Sequence, residues 1–309
     1  MMNKVWLTGD AVVDLIPESD STYLKCPGGA PANVAVGIAR LSGQASFFGR
    51  VGNDPFGRFM SEVLQEQGVD TSQLKFDEKH RTSTVLVDLD QDGERTFTFM
   101  VKPSADQFMT EDDIPTFNQG EWLHCCSIAL ANEPSRSTTL KALKGIKSKG
   151  GFVSFDPNLR EEVWRIPEEI RPIVMQAIAL ADVVKFSEEE LLFLTESNTL
   201  ESGITALDRL KIPVTLVTLG ATGSLMIVDG QREHIASQKV QAIDTTGAGD
   251  AFVAGLLAYL SQYEEWHQPE IIRQAVMWGN GCGALATTQK GAMTALPEKR
   301  KLLTSLNKL

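Results

Sequence analysis

Along most of the chain, short β-branched apolar runs alternate with segments whose apolar residues recur at helical spacing. KVWLTGDAVVDL (4–15), ASFFGRVG (45–52), EWLHCCSIAL (121–130), GFVSFDPN (151–158), ADVVKFS (181–187) and IPVTLVTLG (212–220) predict strands. APANVAVGIARLSG (30–43), DPFGRFMSEVLQEQG (54–68) and residues 135–149 predict helices. Such alternation gives an α/β fold, a mainly parallel sheet between two layers of helices. Two stretches depart from it. Residues 82–101 and 224–237 alternate on either side of Asp92-Gly93 and Asp229-Gly230, the pattern of a β-hairpin. Beyond residue 249 the periodicity is helical. No Pro/Gly/Ser linker, repeat or charge block interrupts the chain, so residues 1–309 are expected to form a single domain with a small β lid.

Charge narrows the function. A formal net charge of -11 disfavours nucleic acid and anionic membranes as partners, since both select basic surfaces. No membrane span or secretory signal is visible, the apolar start being broken by Gly9, Asp10 and Asp14. Cys26, Cys125, Cys126 and Cys282 have neither zinc nor redox spacing, and the four histidines are scattered. The expectation is a cytoplasmic protein without a transition-metal site of its own.

The chemistry concentrates in VQAIDTTGAGDAFVAGLLAYL (240–260), which reads as a short strand, a glycine turn and an apolar helix. The first N–H groups of a helix lack internal partners, and the helix dipole adds positive potential there. Stripping side chains from Gly247, Ala248 and Gly249 lets an anion reach those groups, and Asp250 then sits beside an anion it ought to repel. That pairing makes sense if the carboxylate handles a proton while the helix end handles the charge. The turn is neither the GxxxxGK[ST] loop nor the dinucleotide GxGxxG, which argues against an oxidoreductase.

DTTGAGDAF (244–252), with GGAPAN (28–33) about two hundred residues earlier, resembles the ribokinase-like (PfkB) carbohydrate kinases, and the likeness runs from the first strand to TQKGAMTALP (288–297). Within the family it looks most like fructokinases and aminoimidazole riboside kinases. The resemblance implies a ribokinase-like three-layer fold whose lid comes from segments near 11–30 and 82–105. It implies ATP-dependent phosphorylation of a sugar hydroxyl, fructose to fructose 6-phosphate first and aminoimidazole riboside second, with Asp250 as base and the 247–249 amides as anion hole. A sugar-sensing protein that had lost turnover would have no need of that base.

The other roles follow from the same likeness. Asp14, Gly28, Gly29, Asn33 and Asn158 would hold the sugar, and Arg160 would bridge sugar and phosphate unless it pairs with Glu161 or Glu162. Arg95, Phe97 and Phe99 share one face of the 82–101 hairpin and would close over the sugar, although two phenylalanines there also suit plain core. Lys185, Thr218, Gly220, Gly223, Thr246 and Asn280 would meet the nucleotide. Ser187 and Glu190 form an S-x-x-E capping box, while Glu190 also matches the family residue that organises water around Mg²⁺; both readings stand. K⁺ would be held by Asp244, Thr246 and the carbonyls of Ala286, Gln289 and Gly291, with Ala295 where many relatives carry a serine. An exposed lid edge is compatible with a homodimer.

Overall fold

The computed structural model describes residues 2–89 and 95–307, with the side chains of Leu89 and Arg95 outside the description. In chain order the elements are β1 (Val5–Thr8), β2 (Val12–Ser19), β3 (Thr22–Gly28), α1 (Ala30–Arg40), β4 (Ala45–Gly52), α2 (Pro55–Glu66), β5 (Asp70–Asp77), β6 (Thr84–Leu89), β7 (Arg95–Phe99), β8 (Trp122–Cys126), α3 (Ser135–Ser148) and β9 (Phe152–Asp156). Then come α4 (Ile170–Ile178), β10 (Val183–Ser187), α5 (Glu188–Thr195), α6 (Leu200–Leu207), β11 (Val214–Thr218), β12 (Gly223–Val228), β13 (Gln231–Ala236), α7 (Ala248–Leu260), α8 (Pro269–Ala286), α9 (Ala292–Ala295) and α10 (Lys299–Leu306).

The large sheet runs β13-β12-β11-β10-β9-β8-β1-β4-β5 and is parallel from β11 to β5, with β12 and β13 added antiparallel. Its central strands are buried on both faces, so they read as unbroken apolar runs. The period of two still divides them. Val5 and Leu7 pack with α1, α2, α7 and α8, whereas Trp6 packs with α3, α4, α5 and α6 on the opposite face. Two cores thus lie on either side of one sheet, the three-layer arrangement expected.

Three expectations change. KVWLTGDAVVDL is two strands: the chain leaves the large sheet after Thr8 and enters a second sheet at Val12. Gly9, with φ of 133°, lies in that crossing, whose left-handed backbone glycine adopts freely. The excursion is therefore larger than one hairpin, a four-stranded sheet in the order β3-β2-β6-β7 with β2 and β6 parallel. Its Asp92-Gly93 turn lies outside the described residues. VQAID is no strand at all. The N–H groups of Ile243 and Asp244 donate to the Thr287 carbonyl at the end of α8, which ties the segment to a helix terminus in place of a sheet edge. Among the described residues no helix is long and apolar enough to cross a membrane.

Candidate active site

Strand order reverses at β1, whose neighbours are β4 on one side and β8 on the other. In open α/β sheets a crevice forms beyond the carboxyl ends of strands at such a switch point. A cavity of about 790 Å³ lies there. Both sheets contribute to its wall: Val12, Asp14, Val85, Phe97 and Phe99 from the small sheet, Asp156 and Lys185 from the large one, Asn158 and Arg160 from beyond β9, and residues 242–247, Gly249 and Asp250 from the turn into α7.

At its floor α7 begins. Gly247 is the N-cap with φ of 75°, and a Cβ there would come within 2.8 Å of the Ala292 Cβ, so both backbone and space require glycine. Asp250 stands in the first turn of α7 and accepts a 2.8 Å hydrogen bond from the Asn33 side-chain amide. Asn33 lies on α1, which opens behind Gly29; at φ of 97°, a Cβ on Gly29 would sit 2.4 Å from the Asp10 carbonyl oxygen. GGAPAN and GAGD are thus two helix starts that meet. Burial raises the Asp250 pKa, while Asn33 and the nearby positive charges of Lys185 and Arg160 oppose that rise.

Of the three residues expected to form the anion hole, Gly247 and Gly249 line the cavity. Ala248 does not, and its N–H donates to the Thr245 carbonyl at 3.2 Å. The Lys185 ammonium sits 3.3 Å from where a side chain on Gly249 would begin. It is paired with Asp156 at 2.9 and 3.1 Å, both groups being buried. Burial lowers the pKa of this lysine, but the Asp156 and Glu190 carboxylates outweigh it and push the pKa above the ordinary lysine value.

Asp14, Gly29, Asn33, Phe97, Phe99, Asn158 and Arg160 all line the cavity. Gly28 stands just behind, against the Asp14 carboxylate, and Arg95 falls outside the described side chains. Among the described residues Arg160 forms no ion pair with Glu161 or Glu162; its guanidinium donates to the Leu159 carbonyl at 2.7 Å. Asp244 joins two loops, accepting from the N–H of Thr246 at 3.0 Å and of Gly291 at 2.8 Å. Ala286 is buried at the end of α8 and Gln289 is exposed beyond it, lining a different depression.

Several nucleotide expectations fare differently. Glu190 closes its capping box with Ser187 and also accepts from the Leu159 N–H, so the cap is made and the side chain ties two loops together. Thr218 ends β11, Gly220 lies in the turn that follows and Gly223 opens β12; none of the three lines the 790 Å³ cavity. Asn280 is buried, accepting from Ser224 at 3.1 Å and donating to the Ile235 carbonyl at 2.9 Å, a tie between α8 and the edge strands.

Sequence reasoning overlooked Asp10 and Asp156, both buried in the cavity wall. Asp156 ends β9 and Asp10 follows β1 by two residues, and a carboxylate at the carboxyl end of an otherwise apolar parallel strand was the available signal. Burial raises the Asp10 pKa to about 7, helped by the nearby Asp106 and Asp250 carboxylates.

A profile described as "pfkB family carbohydrate kinase" matches residues 2–299. The chain belongs to that family. A fructokinase of Vibrio alginolyticus is 63% identical over 98% of this chain and 98% of its own length, and an aminoimidazole riboside kinase of Salmonella typhimurium is 43% identical over 99% and 96%. A fructokinase of Vibrio cholerae O395, solved in a fructose, ADP and calcium ion bound form, superposes with a TM-score of 0.96 at 63% identity, covering 99% of both chains. A double mutant of that enzyme in a fructose, ADP and potassium ion bound form gives 0.96 at 62%, covering 99% and 98%.

Proposed function

We propose that this carbohydrate kinase transfers the γ-phosphoryl group of ATP to fructose, giving fructose 6-phosphate. One observation carries the reading: a buried carboxyl group in the first turn of a helix, held by an amide from another helix, at the floor of a cavity that a second sheet overlies. A sugar hydroxyl is a weak acid, so in a loose phosphoryl-transfer transition state its proton leaves late. Asp250 orients that hydroxyl and takes the proton, and Asn33 fixes which carboxylate oxygen faces Asn33 and which faces the sugar. The amides of Gly247 and Gly249, at the positive end of α7, receive the charge building on the transferring group. Arg160 spans sugar and phosphate, with Lys185 beside Gly249 adding positive charge. Asp14, Gly29 and Asn158 hold the sugar, and Phe97 and Phe99 exclude water from above.

The residues present fit the cations such a reaction uses. Asp244, Thr246 and Gly291 already converge, a frame in which K⁺ would rest beside the anion hole, and Glu190, whose charge acts on Lys185 and Asp156, would orient water around Mg²⁺. Mg²⁺, when bound, neutralises phosphate charge in a cavity otherwise rich in aspartates. Residues 1–309 act as one kinase unit in this reading, the β2, β3, β6 and β7 sheet serving as lid and its outer edge joining two copies. Four cysteines free of disulfides and the absence of a long apolar helix among the described residues support a cytoplasmic setting.

The test is turnover of fructose, ribose and aminoimidazole riboside with Mg-ATP in a coupled ADP assay, with and without K⁺. Fructose should give the highest kcat/KM. A higher value for aminoimidazole riboside would move the chain to the other activity, and no turnover of any would leave only a sugar-binding role.

A further inference from the structure

Two oxygen atoms in the cavity wall have no hydrogen-bond partner among the described residues: Oδ1 of Asp10 and Oδ1 of Asn33, each on a residue only 3% exposed. Buried polar atoms are nearly always satisfied, and an unsatisfied one in a functional cavity calls for a ligand group. Asn33 spends its amino group on Asp250, so its orphaned oxygen lies on the amide that holds the proposed base. Asp10 lies where the chain crosses from β1 to β2, its carbonyl pressed against Gly29 at the start of α1. Charged groups facing it are Asp250 from α7, Arg160 from beyond β9, and Asp106 from the stretch after β7. The crossing out to the small sheet and the return from it thus each carry a buried aspartate.

Building on the carbohydrate-kinase reading, we propose that Asp10 is a specificity-determining substrate contact: its carboxyl group takes a sugar hydroxyl next to the one that Asp250 activates, with Asn33 Oδ1 as the second acceptor. A hydroxyl suits this place because it donates and accepts at once. A carboxylate at Asp10 accepts from it, and a carboxylic acid both donates and accepts. Substrates lacking that hydroxyl leave both oxygens buried and unpaired, which is how a polar site rejects a deoxy analogue. Asp14, four residues on in β2, reaches the same cavity from the small sheet. The sugar is therefore gripped from a fixed strand end and from the lid together.

The test is a substrate cycle on the full chain. Asp10→Ala should raise KM for fructose roughly 30-fold or more while KM for ATP stays within about threefold, and Asp10→Asn, which keeps both hydrogen-bonding functions, should recover most of that loss. Singly deoxygenated fructose analogues are then run against wild type and variant. For one of them the penalty of Asp10→Ala should vanish, because the hydroxyl it serves is already gone. If the alanine chain does not fold, Asp10→Ser carries the same cycle. An unchanged KM for fructose, a KM for ATP rising in step, or a penalty equal for every analogue would overturn the proposal in favour of a structural role. Failure of wild type to turn over fructose is a separate result, and it would sink the fructokinase reading.

Discussion

The two sheets of this molecule are built on opposite terms. In the large sheet β1, β8, β9, β10 and β11 are buried almost end to end, with Leu7, Leu123, Val153, Val184 and Leu216 wholly enclosed. In the small sheet β3 begins with four exposed residues in succession, and Tyr23 and Leu24, which point to opposite faces, are each 52% exposed. Groups that must not move belong on the first kind of scaffold; surfaces that must open and close belong on the second. The cavity obeys this division. Asp156, Lys185 and Asp250 are fixed by large-sheet strands and the helix packed on it, while Phe97 and Phe99 arrive from the small sheet, Phe97 still 39% exposed. If the small sheet closes over the sugar as proposed, chemistry and closure are separable by mutation.

The sharpest way to expose that separation is Asp250→Asn. Turnover should fall about 10²- to 10⁴-fold, the usual worth of a general base, with fructose affinity held within about tenfold. The wild-type pH profile carries a second signature. The base works as the carboxylate, and burial raises its pKa, so kcat/KM should climb with pH through a midpoint above the ordinary carboxylate range and then level off. In Asp250→Asn that acid limb should be gone. A variant retaining wild-type turnover would remove Asp250 from the reaction.

How much of this was legible beforehand depended on the same contrast. Parallel strands buried on both faces announce themselves as apolar runs, and GAGD announces a helix start by the absence of side chains, so the large sheet and Asp250 could be read directly. The small sheet was read only in part. β2 follows β1 after only three residues, and one glycine in VWLTGDAVVDL does not by itself distinguish one long strand from two in different sheets; the close approach of Gly29 to the Asp10 carbonyl is visible only in the fold. Asp10 and Asp156 were missed because a carboxylate in a strand terminus ordinarily reads as solvent-facing. Asn280 was legible only as a position on a helix. Its partners Ser224 and Ile235 come from strands 45 to 56 residues away, so no local pattern announces them.

Next in size is the buried pair that anchors the fixed side. Lys185→Met leaves Asp156 enclosed without its counter-charge, and removing one partner of a buried pair typically costs about 3–5 kcal/mol. Urea unfolding should show that loss, partly restored when Asp156→Leu is added, since a matched apolar pair removes the orphaned charge. A single variant as stable as wild type would mean the pair is solvated. Purely apolar truncation comes slightly lower: Leu7→Ala, in a strand that contacts the core beneath α1 and α7, should cost about 2–5 kcal/mol.

The smallest expected change lies on the small sheet, and it is informative because it should be small. Leu24→Lys replaces a half-exposed side chain near the outer end of β3, an edge strand, and surface substitutions of this kind usually shift stability by no more than about 0.5 kcal/mol. If that edge joins two copies, as proposed, the mass measured by light scattering should fall from two chains to one, because a charge on a pairing edge is the standard means of blocking it. Stability would then change little while assembly changes completely. Should Leu24→Lys instead unfold the chain as readily as Leu7→Ala, the small sheet is part of the rigid core, and its aromatic face could not move independently over the sugar.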